Sequence, residues 1–176
     1  LPRIGQSQVN NKIGLTFPVL LRNVLRQDPD TILVGEIRDA ETLNTAIQAS
    51  LTGHMVLSTI HGNDAASSAT RMCDMGAEPF LVASSVCGNI SQRLVRRICE
   101  HCKEPSPILP EMREMLALDD DGTTFYTGAG CNYCHGVGTS GRISVFEVLP
   151  MVEPIQRAIL RRATPADIRA LYKELG

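Results

Sequence analysis

The 176-residue chain has no tryptophan, and aromatic residues make up only 4% of it, so the stacking platforms that single-stranded nucleic acids require are poorly supplied. It also lacks an excess charge of either sign. Seventeen Lys plus Arg against nineteen Asp plus Glu leave a formal net charge of −2, which argues against an electrostatic grip on nucleic acid or an anionic membrane as the main activity. No apolar run approaches the ~20 residues of a bilayer-spanning helix, so the expectation is a chain that does not itself enter a membrane. No charged, then apolar leader opens the sequence. It starts at Leu1, in a stretch (Pro2, Gly5, Gln6, Gln8, Asn10) that reads as the interior of a longer protein. The phosphate-cradling pattern Gly-x-x-x-x-Gly-Lys-Ser/Thr occurs nowhere in the 176 residues. What is present is 43% hydrophobic residues, enough for a sizeable core, in a length that suits one domain with a small appendage.

Residues 16 to 98 read as alternating helix and strand. Phe17, Leu20, Leu21, Val24 and Leu25 recur at helical spacing behind Thr16 as a cap, and Asp28-Pro29-Asp30 stops that helix. Thr31 to Gly35 is a uniformly apolar run of the kind buried on both faces of a parallel sheet. Asp39 can cap a second helix with Leu43, Ala46, Ile47 and Leu51 as its buried stripe, ending at Gly53. Met55 to Ile60 is a second strand, Asp64 to Met75 a third helix, and Pro79 to Ile98 a fourth helical region interrupted near Gly88. This order argues for a layered α/β domain with a parallel sheet. After Cys99 come a short helix from Pro110 to Leu118, an acidic turn (Asp119-Asp120-Asp121-Gly122), a β-rich stretch from Gly141 to Leu149, and two helices, Glu153 to Arg162 and Pro165 to Leu175, the latter with Thr164 as its cap. The expected divisions are 1–98, 99–140 and 141–176.

The strongest chemical signal is a pair of Cys-x-x-Cys units, Cys99/Cys102 and Cys131/Cys134, with 28 residues between them. Each can present two thiolates from one tight turn, and four sulfurs suit a tetrahedral zinc. The long intervening loop adds little cost, because closure entropy grows only logarithmically with length. With all four positions filled by protein no place remains for an activated water, so such a zinc would be structural. Glycines 128, 130, 136 and 138 let the backbone fold back near the sulfurs. His101 and His135 stand beside the pairs as alternative ligands, and two pairs of buried thiols without a metal are the plainer alternative. Cys73 and Cys87 fall at helical, core-like positions as small buried hydrophobes.

Ile32-Leu33-Val34-Gly35-Glu36 is an apolar strand that delivers a carboxylate at its C-terminal end, the edge where open α/β sheets bind ligands. A carboxylate there can take part of a magnesium ion's oxygen shell or orient a water in line with a terminal phosphate, although many buried strands end in an acid for solubility alone. Arg38 and Asp39 follow directly, with Asp39 readable equally as a helix cap or as an active residue. His54 and His61 bracket the next strand seven residues apart, at opposite ends and on opposite faces, so they do not ligate one metal. His61 falls at the edge near Glu36, where an imidazole with Ser58, Thr59 and Asn63 can sense a phosphate; a hydrogen-bonded structural histidine is the alternative for it and the preferred reading for His54.

Taken in order, Gln6-Ser7-Gln8-Val9-Asn10, Leu25-Arg26-Gln27-Asp28-Pro29-Asp30, Ile32-Leu33-Val34-Gly35-Glu36-Ile37-Arg38-Asp39, the two-histidine segment from Thr52 to Asp64, and Gln92-Arg93-Leu94-Val95-Arg96 leading into the cysteines resemble the hexameric ATPases that drive type II secretion and type IV pilus assembly. The resemblance runs through essentially the whole chain. It implies an α/β fold: a RecA-like P-loop NTPase core, incomplete here, with an inserted tetracysteine zinc-binding subdomain and C-terminal helices. It implies that Glu36 is the catalytic glutamate of the Walker B strand, that His54 and His61 are the two ends of a nucleotide-side histidine box with His61 beside the catalytic acid, and that Cys99, Cys102, Cys131 and Cys134 bind structural zinc. ATP and magnesium would be cofactors of a full-length protein working as a homo-hexamer in the cytoplasm, peripheral to the inner membrane through a platform protein and other secretion or pilus subunits, with no nucleic acid bound. Besides the missing phosphate loop, one position and one stretch depart from the family pattern: Gly62 stands where a Thr is usual, and Ile143-Ser144-Val145-Phe146-Glu147 replaces a more common Thr-Gly-containing stretch.

Two functions of different class follow. One is a motor ATPase of which this chain is the C-terminal catalytic half, inactive on its own because the phosphate loop is missing. The other is a non-enzymatic, zinc-stabilised interaction module that docks a membrane platform or partner subunit. Nucleic-acid binding through Arg93, Arg96 and Arg97, read as one helix face, is a weaker third.

Overall fold

The computed structural model describes residues 2–119 and 121–175. They form two compact units, residues 2–91 together with 147–175, and residues 92–146. In chain order the elements are α1 (Phe17–Val24), β1 (Thr31–Ile37), α2 (Ala40–Leu51), β2 (Met55–Ile60), α3 (Ala65–Asp74), α4 (Pro79–Ser85), β3 (Gly88–Ile98), β4 (Lys103–Pro105), α5 (Pro110–Met115), β5 (Tyr126–Gly128), β6 (Thr139–Pro150), α6 (Glu153–Leu160) and α7 (Pro165–Glu174). The chain leaves the first unit along β3 and returns to it along β6.

Helix starts in the first unit follow side-chain chemistry. Asp39 accepts from the Thr42 N–H at 2.8 Å and from the Thr42 hydroxyl at 2.9 Å, which settles α2 on its cap. Thr164 and Asp167 form a reciprocal capping box on α7, and Asp64 and Ser67 form another on α3. Thr16 precedes α1 with extended backbone but makes no side-chain cap bond. The 3-10 turn after α1, Leu25–Gln27, ends on Asp28 in left-handed backbone at φ 52°.

β1 and β2 pair in parallel, Thr31 with Met55 through Val34 with Ser58, and then Ile37 with Ile60. Three steps along β1 thus match two along β2, a bulge that falls on Gly35 and Glu36. Plain alternation would send Glu36 to the same side as Ile32 and Val34. The extra residue instead returns Ile37 to that side, and Ile32, Val34 and Ile37 are buried together. They pack into one apolar cluster with Leu43 and Ile47 of α2, Ala65, Ala69 and Met72 of α3, Val82 of α4, and Ile155, Ile159 and Ile168 of α6 and α7.

Four expectations are corrected. The strands are not covered on both sides: Leu33 is 75% exposed, and Met55 and Leu57 stand about half exposed, because the packed helices lie on one face of β1 and β2. The segment from Gly88 onward is a strand, not the end of a helix. Met151 N–H donates to the Cys87 carbonyl at one end and Cys99 N–H to the Gly138 carbonyl at the other, so β3 and β6 run antiparallel. Arg93 and Arg97 therefore share one side of a strand and Arg96 takes the other, which dissolves the single basic helix face. Cys87 is exposed and outside any helix, while Cys73, on α3, is half-buried and its thiol is pushed up by desolvation. Of the acidic turn, Asp120 lies outside the described residues; Asp121 accepts from the Thr123 N–H at 3.0 Å.

The Asp64 cap yields a stability test. Its carboxyl is held below the ordinary value, chiefly by the Ser67 N–H, with further help from the Ser67 hydroxyl and from Arg169. A depressed folded-state value means the contribution is complete above the unfolded-state value of about 3.9 and is lost as pH falls through the folded-state value. Asp64→Ala is expected to cost about 1 kcal/mol at pH 7, read by urea unfolding, with the gap to wild type closing in the acid range below about pH 4.

Candidate functional site

The parallel pairing of β1 and β2 brings their C-terminal ends together, and each strand is followed by a turn that enters a capped helix. Glu36 stands at the end of β1 with its side chain about one-third exposed. Arg38 Nε donates to Glu36 Oε2 at 2.6 Å. His61, first residue after β2, places Nε2 3.9 Å from the same oxygen. That separation is longer than a hydrogen bond and becomes an ion pair when the imidazole is protonated. The Thr59 hydroxyl donates to the Gly35 carbonyl at 2.8 Å, tying the two strand ends across the bulge. A carboxylate, a guanidinium and an imidazole thus meet at one sheet edge, a set able to orient a water and to meet phosphate charge.

His54 lies at the other end of β2. Its Nδ1 is 3.0 Å from the Ala49 carbonyl and 3.2 Å from the Thr52 hydroxyl. A carbonyl only accepts, so this contact places a proton on Nδ1, and the ring closes the end of α2 away from Glu36 and His61.

In the second unit, β4 and β5 pair antiparallel, Lys103 with Gly128 through Pro105 with Tyr126, and bring the two Cys-x-x-Cys turns together. The four Sγ atoms of Cys99, Cys102, Cys131 and Cys134 all lie within 4.8 Å of one another. Three of their separations, Cys99 to Cys131, Cys102 to Cys134 and Cys131 to Cys134, are 3.8 Å. A regular tetrahedron with metal–sulfur bonds of about 2.3 Å has edges of about 3.8 Å, so the thiols stand at metal-binding spacing. The Cys131 and Gly138 N–H groups each donate to Cys134 Sγ at 3.2 Å. These donors, the Cys131 N–H first, push the Cys134 thiol down to about 6, whereas desolvation and the neighbouring thiols push Cys102 up to about 12. Gly128 and Gly138 are required by close approach: a Cβ on Gly128 would lie 1.9 Å from the Gly138 carbonyl oxygen. His101 is not in the sulfur cluster but stacks on Tyr133 with ring centroids 3.9 Å apart, and His135 lies outside the cluster too.

The model of the type II/IV secretion system protein family matches residues 1–176. The chain belongs to that family. It is 45% identical to the type IV pilus assembly ATPase PilB of Thermus thermophilus over 179 aligned residues, which take in 100% of this chain and 20% of that protein. It is 47% identical to the putative type II secretion system protein E of Escherichia coli (99% of this chain, 36% of that one) and 46% identical to the type II secretion system protein HxcR of Pseudomonas aeruginosa (100% and 34%). The chain thus spans roughly a third or less of these relatives. Among solved structures, the pilus retraction motor PilT with bound ADP superposes with a TM-score of 0.60 at 26% identity, over 91% of this chain and 36% of that one. The ATPase DotB of Legionella pneumophila shares the fold with a TM-score of 0.60 at 23% identity, over 96% and 37%.

Sequence reasoning placed no role on Arg38, whose grip on Glu36 depends on the bulge that re-aims the strand end. Nor did it assign Glu147, whose Oε2 accepts from the Ala65 N–H at 2.9 Å across 82 positions, or Arg169, which pairs with Asp64. No local pattern signals contacts of that range.

The cysteine geometry yields a second test. In the second unit Cys99 and Cys134 are the only buried side chains among the described residues, so an ion held there would take the place of an apolar core. Purified protein is expected to carry one metal ion per chain by elemental analysis and none after Cys134→Ser. Chelation is expected to raise amide hydrogen exchange through residues 92–146 while Leu43, Val82 and Ile155 stay protected.

Proposed function

We propose that the chain is the C-terminal part of a RecA-like catalytic domain in a hexameric motor ATPase that powers type II secretion or type IV pilus assembly. The observation that carries this reading is the meeting of Glu36, Arg38 and His61 at the C-terminal edge of two parallel strands, in a chain whose family includes a relative named as a pilus assembly ATPase. Glu36 acts as the catalytic carboxylate that orients the attacking water or completes a magnesium shell, and His61 stands by to report on the terminal phosphate. His54 serves the nucleotide side indirectly, by fixing the start of β2. The four cysteines hold zinc, the ion that four thiolates in tetrahedral array favour, and it serves structure alone because protein fills every position. The outward face of β1 and β2, with Leu33 and Leu57, supports a catalytic domain larger than these residues, since an apolar strand of this kind suits a sheet covered on both sides.

The partners follow from the family: further copies of the same protein in a ring, an inner-membrane platform protein and other secretion or pilus subunits. The setting is the cytoplasmic side of the inner membrane, reached through those partners. Among the described residues no helix is long and apolar enough to cross a membrane.

In the full-length protein Glu36→Gln is expected to lower ATP turnover roughly a hundredfold or more while leaving nucleotide affinity within about twofold, as befits a group that acts on the reacting water. Turnover that survives the change would remove Glu36 from its role. The 176 residues by themselves, without a Gly-x-x-x-x-Gly-Lys-Ser/Thr loop to hold phosphates, are expected to release no phosphate from magnesium ATP. Turnover in that preparation, abolished by Glu36→Gln, would refute this.

A further inference from the structure

We propose that Glu147 is a positioning residue that braces the turn carrying His61, so that the imidazole stands against Glu36. The inference rests on the proposed function for the meaning of that pair. It rests on independent geometry for the brace. His61 is aimed by its backbone: its side chain is 80% exposed, and the contact the structure gives it is the 3.9 Å approach to Glu36. Whatever fixes residues 61 to 64 therefore fixes the imidazole.

One end of that turn is set by the pairing of Ile60 with Ile37 and by the Thr59 hydroxyl on Gly35. The other end is the start of α3, where the first N–H groups of the helix have no partner within it. Ala65 and Ala66 are fully buried, so water does not supply one. Asp64 takes the Ser67 N–H at 2.6 Å, and Glu147 reaches in from β6 to take the Ala65 N–H at 2.9 Å. Asp64 is itself held by Arg169 of α7 through its second oxygen, and its carbonyl accepts from the Ser68 hydroxyl at 2.8 Å. Gly62 lies so close to α3 that a Cβ there would come within 2.1 Å of Ser68 Oγ. The turn is thus pressed onto a helix whose first donor is held by Glu147. Two carboxylates at this end also suit the positive end of the helix dipole.

What the brace needs from position 147 is an acceptor oxygen at the right reach, and a negative charge is secondary. In the full-length protein Glu147→Gln, which keeps an acceptor at the same distance, is expected to retain most of the turnover. Glu147→Asp, which keeps the charge but withdraws the oxygen by one methylene, is expected to lower kcat roughly tenfold with KM for ATP within about twofold, and Glu147→Ala at least as much. Nuclear magnetic resonance supplies a second readout: the His61 ring signals, identified by their loss in His61→Gln, are expected to shift on Glu36→Gln in wild type and to lose that sensitivity in Glu147→Asp. If Glu147→Ala does not fold, the Gln and Asp pair decides. Full activity in Glu147→Asp with loss in Glu147→Gln, or a rise in KM at constant kcat, overturns the brace. If wild type hydrolyses no ATP, or Glu36→Gln leaves hydrolysis intact, the proposed function fails, and the ring signals alone then judge the brace: retained sensitivity in Glu147→Asp refutes it.

Discussion

The register between β1 and β2 is the constraint on which the site depends. Two residues 25 positions apart in sequence, Glu36 and His61, meet because parallel strands end side by side and each hands its chain to a capped helix. The bulge at Gly35 and Glu36 does the rest. Without the extra residue, alternation would put the carboxylate among Ile32, Val34 and the helices behind them, where an unpaired charge is costly. With it, Ile37 fills that place and Glu36 reaches Arg38 and the imidazole. One irregularity in the ladder thereby reconciles a buried strand with a charged chemical group at its end. Strand ends suit such groups because the irregularity there disturbs few ladder bonds.

The two units are held by different physics. The first has a continuous apolar cluster drawn from two strands and six helices, and its helix ends are closed by Asp39, Asp64 and Thr164. The second buries almost nothing but sulfur. Its side chains at Leu109, Met115 and Tyr133 are largely exposed, so hydrophobic burial contributes little to it. Instead, N–H donors converge on Cys134, and a pair of glycines lets two backbone segments touch beside the sulfurs. An ion held by the four sulfurs would order such a unit, and its binding would require the thiols to give up their protons. Heat and denaturant act mainly on stability of the first kind, whereas stability lent by a thiolate-bound ion would be open to chelators and oxidants.

How much was legible in the sequence follows from the range of the interactions. The caps at Asp39 and Thr164 act within three residues of themselves, and the Cys-x-x-Cys turns within four; both could be read directly. The apolar runs at 31–35 and 55–60 gave the right strands, although their periodicity carries no information on what covers the outer face. Residues 88–98 misled for a specific reason. Ile90, Leu94 and Ile98 repeat every four positions, which is helical spacing, and the partner that makes them a strand, β6, arrives about forty residues after they end. Distance in sequence, here twice as long, also hid Glu147. Its neighbours in the chain announce only a strand; its chemistry comes from an N–H exposed by a helix start 82 residues earlier. Glu36 and His61 could therefore be singled out from local pattern, whereas the contact of Arg38 with Glu36 and the residues that hold the turn in place are visible only once the chain has folded back on itself. Non-local contacts of this kind act on the geometry of the charged groups at the strand ends more than on their identity.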